Sequence, residues 1–296
     1  SVDHIRREHS MGPSTYSGSV VADDAVCYRH PDRTASVGCQ RCDRPICSQC
    51  MTSAAVGFHC PECTRAGAQK VYRPADLISR PRLTYALMGI NIAIFVAQLA
   101  SGQGRGATAG EVFRQGALFG PAVESGEYWR LITGGFLHGS MFHIAFNMYA
   151  LYIFGPNLER SLGMVRTGLI YAGGLFGGSA AVMFFDWRSA TVGASGAVLG
   201  LAGGLAAVLW SRGVNITQTS LGGIFLLNLA IPLVFGGISF WGHFGGIAGG
   251  FVVGWLVSWL PAKLGRTEAM GLAVAALAVV AIGVLGIVGA TVGASG

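Results

Sequence analysis

Residues 191–210 read TVGASGAVLGLAGGLAAVLW, and residues 240–254 read FWGHFGGIAGGFVVG. Both stretches are apolar enough to lie in a bilayer. Both also carry glycine at a four-residue period: Gly196, Gly200 and Gly204 in the first, and Gly242, Gly246, Gly250 and Gly254 in the second. On a helix that period lines one face, and a stripe of small residues lets two backbones approach closely in lipid. The two stripes are expected to face each other, which would make neighbours of Ser195 and His243. A serine hydroxyl is a poor nucleophile until a base accepts its proton, and an adjacent histidine supplies that base. Gly193-Ala194-Ser195-Gly196 further permits a tight turn into a helix, with the Ser195 N–H at the helix N-terminus, where negative charge is stabilised.

The remainder of the chain sets this pair in a membrane. Of 296 residues 52% are hydrophobic and 11% charged, against about 25% charged in an ordinary soluble domain. The charge is uneven, since 11 of the 20 Lys/Arg and 8 of the 14 Asp/Glu fall within the first 82 residues. A soluble module followed by a membrane body is expected, which excludes a secreted disulfide scaffold, a coiled coil and a free cytosolic enzyme. The net charge of +6 includes no long basic run, so no nucleic-acid partner is expected. Seven spans are read at 83–100, 141–158, 164–185, 194–210, 221–235, 240–260 and 269–292, each near the ~20 residues a bilayer requires. Residues 102–130 are too polar and glycine-rich to span and read as a long loop. The N-terminal residues lack the apolar core of a signal peptide, and a start at Ser1 rather than Met reads as a processed or appended extension of about ten residues.

Orientation follows from the basic residues. Arg65, Lys70, Arg73, Arg80 and Arg82 crowd the first span, and Arg160, Arg166, Arg212, Lys263 and Arg266 fall in alternate later links. The N-terminus is therefore expected in the cytoplasm and, after seven spans, the C-terminus outside. Spans two, four and six then run inward from the outer face. His143 and Asn147 enter span two about level with Ser195 and His243, a layer about 10 Å deep at 1.5 Å per residue. Four residues apart, His143 and Asn147 share a helix face and could both donate to one oxyanion. Taken singly, a serine in a span bonds its own backbone and a histidine simply packs. Four such groups at one depth, behind two matched stripes, favour a site. TVGASG recurs at 291–296 with no helix or base after it, which makes Ser295 a poor nucleophile.

All seven cysteines lie between Cys27 and Cys63. With one histidine they form four x2-spaced pairs, Cys27/His30, Cys39/Cys42, Cys47/Cys50 and Cys60/Cys63, a spacing that lets two ligands close on one tetrahedral zinc. Eight ligands make two structural Zn2+ sites, and a reducing cytoplasm favours metal over disulfides. Four protein ligands leave no open position for catalysis. His59, beside Cys60, is the lesser alternative ligand.

The row from Cys27 to Cys63 resembles B-box-type zinc fingers. That resemblance implies a cross-brace, with the first and third pairs on one zinc and the second and fourth on the other. Farther along, Trp129-Arg130, His138, His143-x-x-x-Asn147, Gly193-Ala194-Ser195-Gly196 and His243 followed by Gly246 and Gly250 resemble the rhomboid intramembrane serine proteases. This implies Ser195 as nucleophile and His243 as general base in a dyad without a third acid. Asn147, His143 and the Ser195 N–H would form the oxyanion hole, and no cofactor would serve catalysis. It also implies a six-helix core plus one span, and cleavage of membrane-anchored proteins near the outer end of a transmembrane helix. Two positions depart from the family pattern. Leu199 stands where an aromatic residue often packs on the base, and Gly242 where alanine is common.

The expected fold is an all-α polytopic membrane protein preceded by a small zinc-binding domain. Its parts are a flexible segment 1–24, a zinc domain 25–66, a basic linker 67–82, a protease core 83–260, and a seventh span and tail 261–296. The expected partners are the lipid bilayer, single-span or polytopic membrane protein substrates, and a cytosolic protein bound by the zinc domain. The competing expectation is a non-catalytic membrane adaptor or transporter whose zinc module recruits a partner.

Overall fold

The computed structural model describes residues 21–22, 24–54, 56–66, 80–234, 237–264 and 267–295. Nearly all of the expected segment 1–24 and residues 67–79 of the expected linker, with Lys70, Arg73 and Arg266 of the orientation argument, lie outside the described residues. The chain divides between Leu77 and Ile78 into two compact units.

The first unit contains three antiparallel two-stranded sheets. They pair β1 (Val26–Cys27) with β2 (His30–Thr34), β3 (Val37–Gly38) with β4 (Pro45–Ile46), and β5 (Thr52–Ser53) with β6 (Phe58–His59). A short helix α1 (Pro61–Ala66) follows. Among the described residues its buried apolar cluster consists of Cys27, Cys39, Cys47, Cys50, Cys60 and Ile46. One aliphatic side chain among thiols is too little to hold so small a unit by apolar burial alone.

The second unit is helical. Its long helices are α2 (Arg82–Ser101), α6 (Met141–Leu162), α7 (Met164–Phe185), α8 (Ser195–Ser211), α9 (Ser220–Val234), α10 (Phe240–Leu264) and α11 (Glu268–Ser295). Between α2 and α6, the expected loop contains the short helices α3 (Glu111–Gly116), α4 (Gly120–Glu124) and α5 (Arg130–Thr133). Buried Arg130 organises it, donating to the Arg114 carbonyl at 3.0 Å and the Ala117 carbonyl at 2.7 Å and pairing with Glu127 at 2.6 Å. At the other end of the bundle Glu159 caps α2. Its carboxylate accepts from Leu83 N at 2.8 Å, Thr84 N at 2.9 Å and Thr84 Oγ1 at 2.8 Å, a negative charge set on a helix N-terminus.

Arg82–Ser101, Met164–Phe185, Phe240–Trp259 and Glu268–Ala294 are long and apolar enough to cross a membrane. The other three expected spans are shorter or more polar. α8 and α9 have 17 and 15 residues, about 25 Å or less of helix against a hydrocarbon core of about 30 Å. α6 carries His143, Asn147, Asn157, Glu159 and Arg160. The pattern is that of a multi-pass membrane protein in which α8 is the most enclosed helix and begins at Ser195.

The two glycine stripes meet. A methyl on Gly246 would collide with the Gly196 carbonyl, and one on Gly250 with the Gly200 carbonyl; one on Gly254 would lie 2.6 Å from Gly204 Cα. α7 closes the third side with Gly173-Gly174 and Gly177-Gly178. Added methyls there would lie 2.7 Å from Gly200 Cα at Gly174 and 2.8 Å from the Gly242 carbonyl at Gly178. α8 and α10 are thus held backbone to backbone at the level where each presents its polar residue.

Candidate active site and metal-ligand clusters

Ser195 is the first residue of α8, entered through an extended segment anchored to the loop beneath it. Thr191 exchanges backbone hydrogen bonds with Leu118 at 2.8 and 3.0 Å, and Gly193 N–H donates to the Gly134 carbonyl at 3.0 Å. Gly193 has φ +134°, a conformation that disfavours side chains. A Cβ there would also sit 2.7 Å from both Cε1 and Nε2 of His143 and 3.5 Å from Ser195 Oγ. Glycine is required at 193 by backbone angle and by clearance alike. The same distances place the His143 ring beside Ser195.

His143 lies in the first turn of α6, capped by Ser140 Oγ, which accepts from His143 N at 3.2 Å. Its Nδ1 accepts from Gly139 N–H at 3.4 Å, so the neutral ring carries its proton on Nε2, the nitrogen facing Gly193. His243, on the first turn of α10 and 7% exposed, has the opposite arrangement. Its Nδ1 meets the Asn228 carbonyl at 2.8 Å. A carbonyl only accepts, so that Nδ1 is protonated and Nε2 keeps its lone pair. Two histidines, one poised to donate and one to accept, share one cavity with the Ser195 hydroxyl.

Ser195, His143 and His243 line a cavity of about 50 Å³ together with Gly193, Ser179 and Ser239. A water needs roughly 10–15 Å³ of such space, so there is room for a hydrolytic water. Asn147 is brought near but not into this lining. It is buried one turn along α6, with Nδ2 donating to the His143 carbonyl at 3.1 Å. Leu199 is buried on α8. Ser295 is the last residue of α11, a helix C-terminus and not the N-terminus that Ser195 occupies.

Two polar residues that the sequence reading passed over support the site. Gln98 is fully buried in α2 and clamps the chain entering α6: its Oε1 accepts from His138 N at 3.0 Å, and its Nε2 donates to the His138 carbonyl at 3.2 Å. Asn228 supplies the carbonyl that orients His243. Gln98 was visible as an amide in a largely apolar span, whereas Asn228 acts through a main-chain carbonyl that no side chain announces. His138, held by Gln98, is fully buried, edge-on to Phe95 at 6.3 Å and to His143 at 5.2 Å. Burial, reinforced by His143, brings its pKa down to about 4, so its ring stays neutral.

In the first unit Cys27, His30, Cys47 and Cys50 converge, as do Cys39, Cys42, Cys60 and Cys63. Within each group the ligand atoms lie within 4.8 Å of one another. His30 Nδ1 is 3.8, 3.5 and 3.3 Å from the sulfurs of Cys27, Cys47 and Cys50, and Cys42 and Cys60 sulfurs are 3.7 Å apart. A tetrahedral site with zinc–sulfur bonds of about 2.3 Å has ligand edges of about 3.8 Å, so the groups fit that ion. The ionisation of the thiols would favour one as well. Burial opposes ionisation of Cys27 and Cys39, but backbone N–H donors outweigh it and bring both to about 6. Cys50, through burial and its thiol neighbours, is pushed up to about 11, and Cys63, through hydrogen bonds with Cys60 and Cys42, to about 12. A divalent cation removes that conflict. His59 lies on β6, outside both groups.

Residues 125–260 match the Rhomboid domain family. The chain is 39% identical over 130 residues to "RHOMBOID-like protein 6, mitochondrial" of Arabidopsis thaliana, covering 42% of each chain. It is 34% identical over 173 residues to "Rhomboid protease GluP" of Bacillus subtilis, covering 57% of this chain and 33% of that one. To "Rhomboid-like protease 1" of Toxoplasma gondii it is 33% identical over 140 residues, covering 45% and 48%. The chain therefore spans less than half the length of each of these relatives.

Proposed function

We propose, from a chain that carries a rhomboid domain at residues 125–260, an intramembrane serine endopeptidase acting on transmembrane segments of membrane-anchored proteins. The observation that carries this reading is that Ser195, His143 and His243 line one cavity, the two rings being hydrogen-bonded through Nδ1 to partners of opposite kind, an N–H and a carbonyl. His243 Nε2 takes the Ser195 proton as Oγ attacks the scissile carbonyl, giving a tetrahedral oxyanion and an imidazolium. The Ser195 N–H at the head of α8 and the His143 Nε2–H stabilise that oxyanion. Asn147 joins them on rotating its amide off the His143 carbonyl. Imidazolium then protonates the leaving amine, and a water activated by His243 hydrolyses the acyl-enzyme, restoring Ser195 and releasing the new carboxyl end.

The first unit is a zinc domain holding two structural ions, Cys27, His30, Cys47 and Cys50 on one and Cys39, Cys42, Cys60 and Cys63 on the other. We place it in the cytoplasm, where it binds a cytosolic protein. The basic residues before α2 support this orientation.

Cleavage of a co-expressed single-span protein, followed by release of its ectodomain, tests the reading. Ser195→Ala and His243→Ala are each expected to abolish release, while Ser295→Ala leaves it intact. Labelling by a serine-directed fluorophosphonate should vanish in Ser195→Ala. Unchanged release in Ser195→Ala would overturn the assignment.

A further inference from the structure

We infer that Pro232 is a positioning residue: by deleting one backbone N–H from α9, it frees the Asn228 carbonyl to hold His243 in its proton-accepting tautomer. This deepens the protease reading and rests on it.

Pro232 lies inside α9, four residues after Asn228. In a regular helix the Asn228 carbonyl would accept from the N–H of residue 232. Proline has none, and its ring crowds the carbonyl four residues back. An acceptor left bare in an apolar body is costly, so a partner is expected. The partner is His243 Nδ1 on the neighbouring helix, at 2.8 Å. The Asn228 side chain is engaged elsewhere, its Nδ2 donating to the Ile224 carbonyl at 2.9 Å, so the main chain alone serves the histidine.

In a serine–histidine–aspartate triad a carboxylate fixes the imidazole tautomer. Among the described residues lining this cavity none is acidic. The main-chain carbonyl does the carboxylate's orienting work without a buried charge. It also sits on the least enclosed of the long helices. Leu221 is the buried residue described in α9, whereas Leu226, Leu227, Leu233 and Val234 are exposed. Moving α9 away from α10 breaks the bond and releases the tautomer, so the base is set only while the two helices are in contact.

The test compares Pro232→Ala, which restores an N–H at position 232, with lactic acid placed at 232 by nonsense suppression. Lactate has the alanine side chain on an ester linkage and no N–H. Full-length protein carrying ring-15N histidine is measured by NMR for the tautomer of His243, assigned with His243→Gln, and kcat and KM are measured on a single-span substrate. Wild type and the lactate form should show protonated Nδ1. Pro232→Ala should shift the ring towards protonated Nε2 and lose about tenfold in kcat with KM changed less than about twofold, part of what a positioned base contributes. Protonated Nε2 in the wild type would overturn the inference, as would equal kcat in the alanine and lactate forms. The NMR readout needs no turnover, so it stands apart from the failure of the protease reading, which Ser195→Ala reports.

Discussion

At the scale of single residues, Gly193 concentrates the most constraint in the fewest atoms. Gly193→Ala combines a left-handed backbone angle with a Cβ 2.7 Å from the His143 ring. It should displace a proposed oxyanion donor and cost about 100-fold or more in kcat, the scale of losing one such donor. Fluorophosphonate labelling should fall in parallel. His138 makes a prediction in pH. Its pKa drops from 6.5 to about 4 on burial, so below 6.5 the unfolded chain takes up a proton that the folded chain refuses. Stability should therefore be full above 6.5, fall as pH drops towards about 4, and level off below it. Detergent-solubilised His138→Phe should lose less stability across that window than wild type; an equal loss would place the effect in other groups. Ser195 and His243 were legible because serine and histidine are conspicuous in apolar helices. Asn147 was legible as a residue but not as a conformation, since its amide satisfies itself on its own helix at 3.1 Å, a local choice that spacing does not reveal.

At the scale of elements, helix pairing depends on where glycine is and what it faces. Gly250→Ala puts a methyl against the Gly200 carbonyl, a contact with no flexible side chain to give way. Overpacking of this kind typically costs about 1–3 kcal/mol, so its unfolding midpoint in detergent should fall. Gly89→Ala and Gly223→Ala, whose added methyls meet nothing within 4 Å, should be neutral or slightly stabilising. The stripes of α8 and α10 could be read from sequence because each repeats at three or more positions, although both also meet α7. The α7 glycines could not. Gly173-Gly174 and Gly177-Gly178 come in adjacent pairs that serve two neighbours, and adjacency along a helix carries no single face. The short helices of the first loop escaped reading for another reason: they are fixed by Arg130 bonding to carbonyls that become neighbours only after folding.

At the scale of the whole molecule, the chain joins two units with different sources of stability. The helical unit rests on a buried apolar core and, where α7, α8 and α10 meet, on backbone contact between glycines. The first, as the proposed zinc domain, would draw on its two ligand clusters, where metal binding would become folding free energy. Metal analysis of the full chain should return about two zincs, and Cys39→Ser about one. Chelation should unfold residues 24–66 while Ser195 still reacts with fluorophosphonate. The cysteine pairing was legible because x2 spacing is local. The membrane body was legible as spans, and the shortness of α8 and α9 with it, because Ser211-Arg212-Gly213 closes the first and glycine follows the second.

The meeting of α8 and α10 at bare backbone has a last consequence. Where the glycines meet, the helices carrying Ser195 and His243 have no side chains between them to soften first, so this seam has no melting mode of its own and any local softening of the site belongs to α9. Heat should part α8 from α10 only at the unfolding midpoint of the helical unit, and thermostabilising that unit should raise both in step.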